Sequence, residues 1–435
     1  RDVLGSRGLG DVYKRQAYRV VFYMNNYYDA NALFEAGTKS IKGSRWKYST
    51  QLFEMNQLLE TAKLQKALME GKYRPAVGSK FVIKERGKTR YISSATMQDK
   101  TVNHIVCDKV LTPYLHKYLQ YDNSASQKGK GVSFHRQRFE THLHQYFNET
   151  GSNEGYILLW DYSGYYANIL HEKCLDTIGG FLDREPIDPL ERQLTKEIMA
   201  ATFRTFETDV SRFSDKEVAE MYRRKVDPLL NAGVPPEQLT GEKRLRKGVD
   251  IGNQQSQDIG ILYPYRIDNF CKIVCGFRHF GRYTDDSYII HRSKEKLLQA
   301  FEGIKKIAAE FGLIINERKT RICKLSDTYR HLQIQYSLTA SGRLIRKINP
   351  KAVTRERRKL KAYKRLLDAG RMAYSKIEES FKSWIASVYK YMSRQQIQGL
   401  SRLFYDLFGK APTWKKTHGS SHGRLRWMMA LPSAA

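Results

Sequence analysis

FGRYTDDSYII, residues 280–290, is the stretch that decides how this chain folds and what it can do. Its two adjacent aspartates, Asp285 and Asp286, sit between apolar, β-rich flanks. Neighbouring side chains of an extended strand point to opposite faces. Both carboxylates therefore reach one site only from a hairpin tip, and Thr284-Asp285-Asp286-Ser287 has suitable turn chemistry. A second apolar run, YILLW (156–160), leads straight into Asp161, 124 residues before Asp285. Carboxylates brought together repel, and without a cation one of them must take up a proton. An all-oxygen donor set that leaves room for substrate phosphates suits magnesium. Two such ions about 3.5–4 Å apart favour in-line displacement at phosphorus. Nucleotidyl transfer is the chemistry these residues permit, although YTDD taken alone reads more readily as an acidic hairpin turn.

Around this stretch lie 435 residues, enough for about three domain-sized units. Apolar residues make up 41% and aromatics 12%, which supplies folded cores and excludes global disorder. Lys and Arg number 75 against 45 Asp and Glu, a net charge of +30 that points to a polyanionic partner, nucleic acid ahead of a membrane surface. No apolar run approaches the ~18 residues of a membrane span, and no basic, apolar and small-residue succession marks a signal peptide. The expectation is a soluble, cytoplasmic protein with no membrane partner. Five scattered cysteines (Cys107, Cys174, Cys271, Cys275, Cys323) lack paired CxxC elements and read as buried small apolar residues of a reducing compartment.

SRGLGDVYKRQ (6–16) matches one reading frame of a transposon adapter used in sequencing libraries. Residues 1–16 are therefore set aside from fold reasoning, with the true start expected upstream. Residues 49–70 place Leu52, Met55, Leu59 and Ala62 at helical spacing after a capping Ser49 and before Gly71. KFVIKERGKTRYIS (80–93) reads as a hairpin turning at Gly87 with its charged residues on one face. Residues 97–119 look helical, 122–134 form a basic loop, and about 171–245 are helical and charged. GVDIGNQQSQ (248–257) reads as a loop. From 294 to 312 a helix carries Leu297, Phe301, Ile304 and Ala308 on one face. Arg343 to Asp368 holds eleven basic and two acidic residues and reads as a positive helical run. Beyond Gly370, Ile377, Phe381, Trp384, Ile385, Val388 and Met392 mark an amphipathic helix. Residues 411–435 read as a loose tail.

DYSGYYANI (161–169), IGNQQSQ (251–257), RYTDDSYII (282–290) and GLIINERKTRI (312–322) follow one another in the order and approximate spacing of reverse-transcriptase palm motifs. With the 80–93 hairpin before them and the basic helix after them, the chain resembles reverse transcriptases over about residues 40–410. The likeness is to bacterial and phage retroelement enzymes in particular. The resemblance implies an α+β right-hand polymerase. An N-terminal helical extension would span 17–75, the fingers 76–155, a palm with an antiparallel sheet 156–342 and a basic helical thumb 343–410. The palm would carry a helical insertion at about 171–245.

The resemblance also implies roles at matching positions. Asp161 and Asp285 would be the chief ligands of two Mg2+ ions, with Asp286 beside them. Tyr166, following Tyr165, would lie under the incoming sugar and exclude a 2′-hydroxyl, the group that separates ribo- from deoxyribonucleotides. Lys84 and Arg90 would hold the triphosphate, the first as a point charge and the second as a bidentate fork. Lys319 would protonate pyrophosphate as general acid. Gly252, Ser256 and Gln257 would support template and nucleotide. Most members carry Gln and Pro where this chain has Ile251 and Gln257, a departure that resembles the diversity-generating retroelement branch. The basic helix from 351 to 368 would grip the template–primer backbone by phosphate neutralisation. The implied partners are an RNA template, a nucleic-acid primer and deoxynucleoside triphosphates, with room for an accessory protein. The implied activity is RNA-directed DNA polymerisation. Other readings are a catalytically idle RNA-binding palm, a phage-defence enzyme and a group II intron-like enzyme, the last without an HNH-like His/Cys cluster.

Overall fold

A computed structural model describes residues 27–85 and 88–413. The adapter-like stretch, the turn at Gly87 and residues 414–435 of the expected tail lie outside these. The strands among the described residues are β1 (Ser79–Glu85), β2 (Lys88–Ser94), β3 (Tyr156–Trp160), β4 (Thr208–Asp209), β5 (Arg244–Leu245), β6 (His279–Tyr283), β7 (Asp286–His291), β8 (Arg321–Lys324), β9 (Tyr329–His331), β10 (Ile334–Leu338) and β11 (Leu344–Ile348). Helices outweigh them, so the chain is a mixed α and β protein. It divides into two compact units. Of the described residues, the first takes those up to Ser126 together with Trp160–Gly276 and Gln299–Lys319; the second takes Gln127–Leu159, Phe277–Leu298 and those from Thr320 on.

In the first unit, residues 49–70 form two helices, Tyr48–Met55 and Gln57–Met69, instead of one. Asn56 breaks the run: its side-chain amide donates to the Leu52 carbonyl at 3.0 Å. The buried side is also different from the expected one. Thr50, Phe53, Gln57, Thr61, Leu64 and Leu68 face inward, whereas Leu52, Met55 and Leu59 are exposed. Helix Met97–Ile105 runs on into a π-helical stretch, Val106–Leu115, which accommodates Pro113 and its missing N–H. The charged segment from His171 supplies three helices, His171–Leu182, Pro189–Arg204 and Asp215–Arg223, and the short β4/β5 ribbon. Helix Lys294–Glu310, whose first residues belong to the second unit, buries Leu297, Ile304 and Ala308 as its periodicity predicts, whereas the expected Phe301 is only half-buried and Ala300 is buried instead.

The second unit is built on a four-stranded sheet in the order β6-β7-β3-β8, with Trp160 at its margin. Helix Val132–Thr150 covers one face. Phe139, Leu143 and Tyr146 pack with Ile157 and Leu159 of β3 and with Tyr288 and Ile290 of β7, the alternate residues that share a side. A second sheet, β11-β10-β9, extends this core through Tyr329, Ile334, Tyr336 and Leu338.

The positive run from Arg343 is not helical throughout. Leu344 to Ile348 pair with β10, Leu344 opposite Leu338 and Ile348 opposite Ile334. The helix starts only at Pro350, after Asn349 caps it by accepting the Lys351 amide at 3.0 Å. Proline at the first helical position and Asn before it are ordinary start signals that the charge pattern obscured. Helices Pro350–Asp368, Tyr374–Val388 and Arg394–Phe408 then close a core of Leu360, Ile377, Phe381, Ile385, Leu400 and Phe404. The apolar face read from Ile377 to Met392 thus finds its partners, although the helix itself ends at Val388 and Met392 follows a 3-10 turn, and Lys351, Arg355, Arg357, Arg358, Lys361 and Arg365 stay exposed. Cys107, Cys174 and Cys271 are buried, while Cys275 and Cys323 are half-buried.

Phe381 stacks on Phe404 at 4.7 Å between ring centroids, and both are fully buried. Truncating Phe381 to alanine should cost about 3–5 kcal/mol in urea unfolding. A loss below about 1 kcal/mol would mean that this core is not packed as described.

Candidate functional site

Asp285 and Asp286 sit at the tip of the β6/β7 hairpin, where Tyr283 pairs with Asp286 across a two-residue turn. Thr284 opens the turn with φ +54°. The left-handed region is costly for a β-branched residue and persists only where the surroundings enforce it. Here the enforcement is visible. The flanks His279–Arg282 and Ser287–Ile290 are buried, and the Arg282 guanidinium, fully buried, donates to the Thr284 carbonyl at 3.0 Å. Both aspartates are half-buried.

Asp161 follows β3 directly, and β3 is the strand next to β7 in the sheet. Beyond the sheet the chain at 161–163 is held by the 314–316 segment. Asn316 N–H donates to the Asp161 carbonyl at 2.8 Å, Ser163 N–H to the Ile314 carbonyl at 2.7 Å, and Tyr162 bridges Ile315. The Lys319 amide closes a turn onto the Asn316 carbonyl at 3.0 Å. That turn brings the Lys319 ammonium onto Asp161 Oδ2 as an ion pair. Lys319 is half-exposed and Asp161 largely covered, so the carboxylate draws its compensating charge from one side chain.

Tyr166 begins a short 3-10 turn after Gly164. The following residues zip onto the 247–249 segment: Val249 N–H donates to the Tyr166 carbonyl at 3.0 Å, Gly248 N–H to the Ile169 carbonyl at 2.8 Å, and Leu170 bridges Lys247. His171 Nε2 donates to the Gly248 carbonyl at 2.6 Å. Lys247 donates to the carbonyls of Met221, Tyr222 and Arg224 at 3.1, 2.8 and 2.9 Å, and burial pushes its ammonium down to about 8.

The next turn of chain is stitched to the 80–93 hairpin. Ser93 N–H donates to the Ile251 carbonyl at 3.2 Å, and Ile92 bridges Ile251. Gly252 has φ +115°, and a Cβ there would stand 3.0 Å from both Ile92 Cγ2 and the Ser93 carbonyl oxygen. Only glycine fits this approach. The loop ends earlier than expected, because Asn253 caps a helix, Gln254–Leu262, by accepting the Gln255 amide at 3.1 Å. Ser256 and Gln257 therefore ride on that helix, Ser256 buried and Gln257 exposed. Buried Gln255 leaves both amide atoms of its side chain without hydrogen bonds.

The β1/β2 ribbon exposes Lys84 and Arg90, but not together. Register pairs Lys84 with Thr89 and Ile83 with Arg90, which sends the two cations to opposite faces. The expected single charged face is not formed.

The acidic donors offered are carboxylate oxygens, the set magnesium takes. Among the described residues no group of three or more His, Cys, Asp or Glu side chains stands ready to share an ion. Asp161 is already engaged by Lys319. The lysine takes Oδ2, and a carboxylate has a second oxygen with which to meet a cation.

Sequence reading passed over Arg282, His171, Lys247 and Gly260. The signal for Gly260 was present: a lone glycine inside the helical run QQSQDIGIL asks for a packing reason. The other three carried none, since which charged side chains become buried depends on the tertiary fold.

No family model and no curated protein matches this chain. Solved structures similar to it include telomerase from Candida albicans in complex with a fragment of telomeric RNA, at 10% identity and TM-score 0.43, covering 82% of this chain and 61% of that one. Apo telomerase from Candida tropicalis matches at 14% identity and TM-score 0.44, covering 77% and 63%. A form of the same protein truncated from its C-terminal domain matches at 13% and 0.42, covering 67% and 60%. The chain thus spans about three-fifths of the telomerase chains it matches. Likeness at this level fixes no activity. No described helix is long and apolar enough to cross a membrane.

Burial holds the His171 imidazole down at about 4, with the Gly248 carbonyl opposing and Arg246 assisting. Burial, then His135 and Arg136, holds His331 well below its ordinary value. In the unfolded chain both titrate near ~6.5. Below that pH the unfolded state binds protons that the folded state refuses, so stability present at pH 7 is lost as pH falls from about 6.5 toward 4. The slope is about 1.4 kcal/mol per pH unit for each group. Melting curves between pH 7.5 and 4.5 should show this fall, and His171→Gln should flatten it. An unchanged slope in the variant would contradict a neutral buried imidazole.

Proposed function

We propose that this chain is an RNA-directed DNA polymerase that extends a primer by nucleotidyl transfer and belongs to a bacterial or phage retroelement. The observation that carries the reading is topological. Asp285 and Asp286 occupy an enforced hairpin turn, and the neighbouring strand of the same sheet runs directly into Asp161. The order of the four motifs and the net charge of +30 support it.

In this reading Asp161, Asp285 and Asp286 would hold two magnesium ions, which when bound would supply Lewis acidity to the primer hydroxyl and the leaving phosphates. The rest falls to the chain itself. The primer 3′-hydroxyl gives its proton to water as its oxygen attacks the α-phosphorus of a deoxynucleoside triphosphate, and the bond to pyrophosphate breaks. Lys319, held beside Asp161, would give a proton to the departing pyrophosphate as general acid. Tyr166 stands against the sugar, and the 251–257 segment, pinned to the ribbon at Ile92 and Ser93, carries Gly252 and Gln257 beneath template and nucleotide. Lys84 or Arg90 meets the triphosphate, each from its own face of the ribbon. The exposed cations of helix Pro350–Asp368 hold the template–primer backbone, a contact independent of sequence and weakened by salt. Ile251, where most reverse transcriptases carry a hydrogen-bonding side chain, supports a likeness to the diversity-generating branch.

One observation favours a second reading, an RNA-binding palm that performs no chemistry: the Asp161 carboxylate is ion-paired with Lys319. Primer extension on an RNA template with magnesium separates the two. The polymerase reading expects extension by the parent and a loss of at least about a thousandfold in Asp285→Ala, the equivalent of several kcal/mol of transition-state stabilisation, with melting behaviour retained. RNA binding without extension by the parent, or full-rate extension by Asp285→Ala, would reject it.

A further inference from the structure

Both tyrosines of the 165–166 pair rest on one helical glycine. The Tyr165 hydroxyl donates to the Gly260 carbonyl at 2.5 Å. Tyr166 lies across its Cα: a Cβ at position 260 would stand 2.7 Å from the Tyr166 hydroxyl oxygen, 2.8 Å from Cε1 and 3.0 Å from Cζ. Carbon atoms settle at about 3.5–4.0 Å, so any side chain here displaces the ring. Gly260 is itself buried in the last turn of helix Gln254–Leu262, two residues before its end, where glycine still holds a helix less well than alanine. The seat it leaves for Tyr166 accounts for its presence. Around that seat the backbone is fixed, because the Tyr166 carbonyl accepts Val249 N–H and the two tyrosine rings meet edge to face at 5.3 Å.

We propose that Gly260 is a positioning residue for nucleotide selection: by lacking a Cβ it lets the Tyr166 ring sink against the helix, and so sets the depth of the space offered to the incoming sugar. The proposal rests on the reading of Tyr166 as the sugar gate. A methyl group at 260 drives the half-buried ring toward its exposed side and narrows that space. The effect passes entirely through the Tyr166 ring, which separates it from any general weakening of the helix.

The test is a double-variant cycle on the full chain with Gly260→Ala, Tyr166→Ala and their combination. It measures kcat and KM for a deoxynucleotide, the same for its ribonucleotide, and the melting temperature. Tyr166→Ala should relax discrimination against the ribonucleotide. Gly260→Ala should raise the deoxynucleotide KM about tenfold, the scale of a mild overpacking, with kcat nearly unchanged, and should lower the melting temperature. Both effects of Gly260→Ala should vanish in the Tyr166→Ala background. Relaxed discrimination in Tyr166→Ala with no KM change in Gly260→Ala overturns this proposal alone, as does an equal KM penalty with and without the Tyr166 ring. Unchanged discrimination in Tyr166→Ala removes the sugar gate and this proposal with it. If Gly260→Ala alone does not fold, recovery in the double variant supports the contact and failure of both overturns it.

Discussion

A two-residue turn governs the candidate site. Putting two adjacent carboxylates at one hairpin tip requires the chain to reverse within Thr284 and Asp285, and Thr284 must enter a conformation that its branched side chain disfavours. Such a turn would open unless its flanks were held, and they are. Strands β6 and β7 are buried along nearly their whole length, and Arg282 spends a buried guanidinium on the Thr284 carbonyl. The sheet beneath, clamped by helix Val132–Thr150, converts hydrophobic burial into the fixed position of a polar turn. Stored strain at the tip and dense packing beneath it are two sides of one arrangement.

The same logic recurs where the chain meets itself at short range. Gly252 lets the 251–253 segment touch the ribbon backbone at Ser93, and Gly260 lets Tyr166 touch the helix that follows. In both places a missing side chain, and not an added interaction, sets the geometry. Around them His171 and Lys247 spend their hydrogen bonds on backbone carbonyls, so that the 247–253 segment is fixed by groups that would take no part in chemistry.

Charge is handled in two ways. On helix Pro350–Asp368 the cations stay on the exposed side, and the helix is held by the apolar residues it shares with its two neighbours. Positive side chains so crowded repel one another, which a polyanion would relieve. At Asp161 the opposite holds: one carboxylate, largely covered, is met by one ammonium brought in by a local turn.

Sequence alone determined the features that depend on local order. The apolar run into Asp161, the turn at YTDD and the helix read at 294–312 follow from hydrophobic period and turn chemistry and lie where that reading places them, while the helix read from Ile377 to Met392 ends at Val388. It did not determine which side of a helix turns inward. Leu52, Met55 and Leu59 are exposed because Phe53, Gln57, Leu64 and Leu68 meet the rest of the first unit, and both stripes are apolar enough to serve. Nor could it see that Leu344–Ile348 pairs with β10, since Leu344 and Ile348 share a side in a strand as well as in a helix. Register sent Lys84 and Arg90 to opposite faces, a cap at Asn253 moved Gln257 onto a helix, and a turn of chain far from Asp161 laid Lys319 on it. These are decided by partners distant in sequence, whose identity no local pattern encodes; only the folded chain brings them within bonding range.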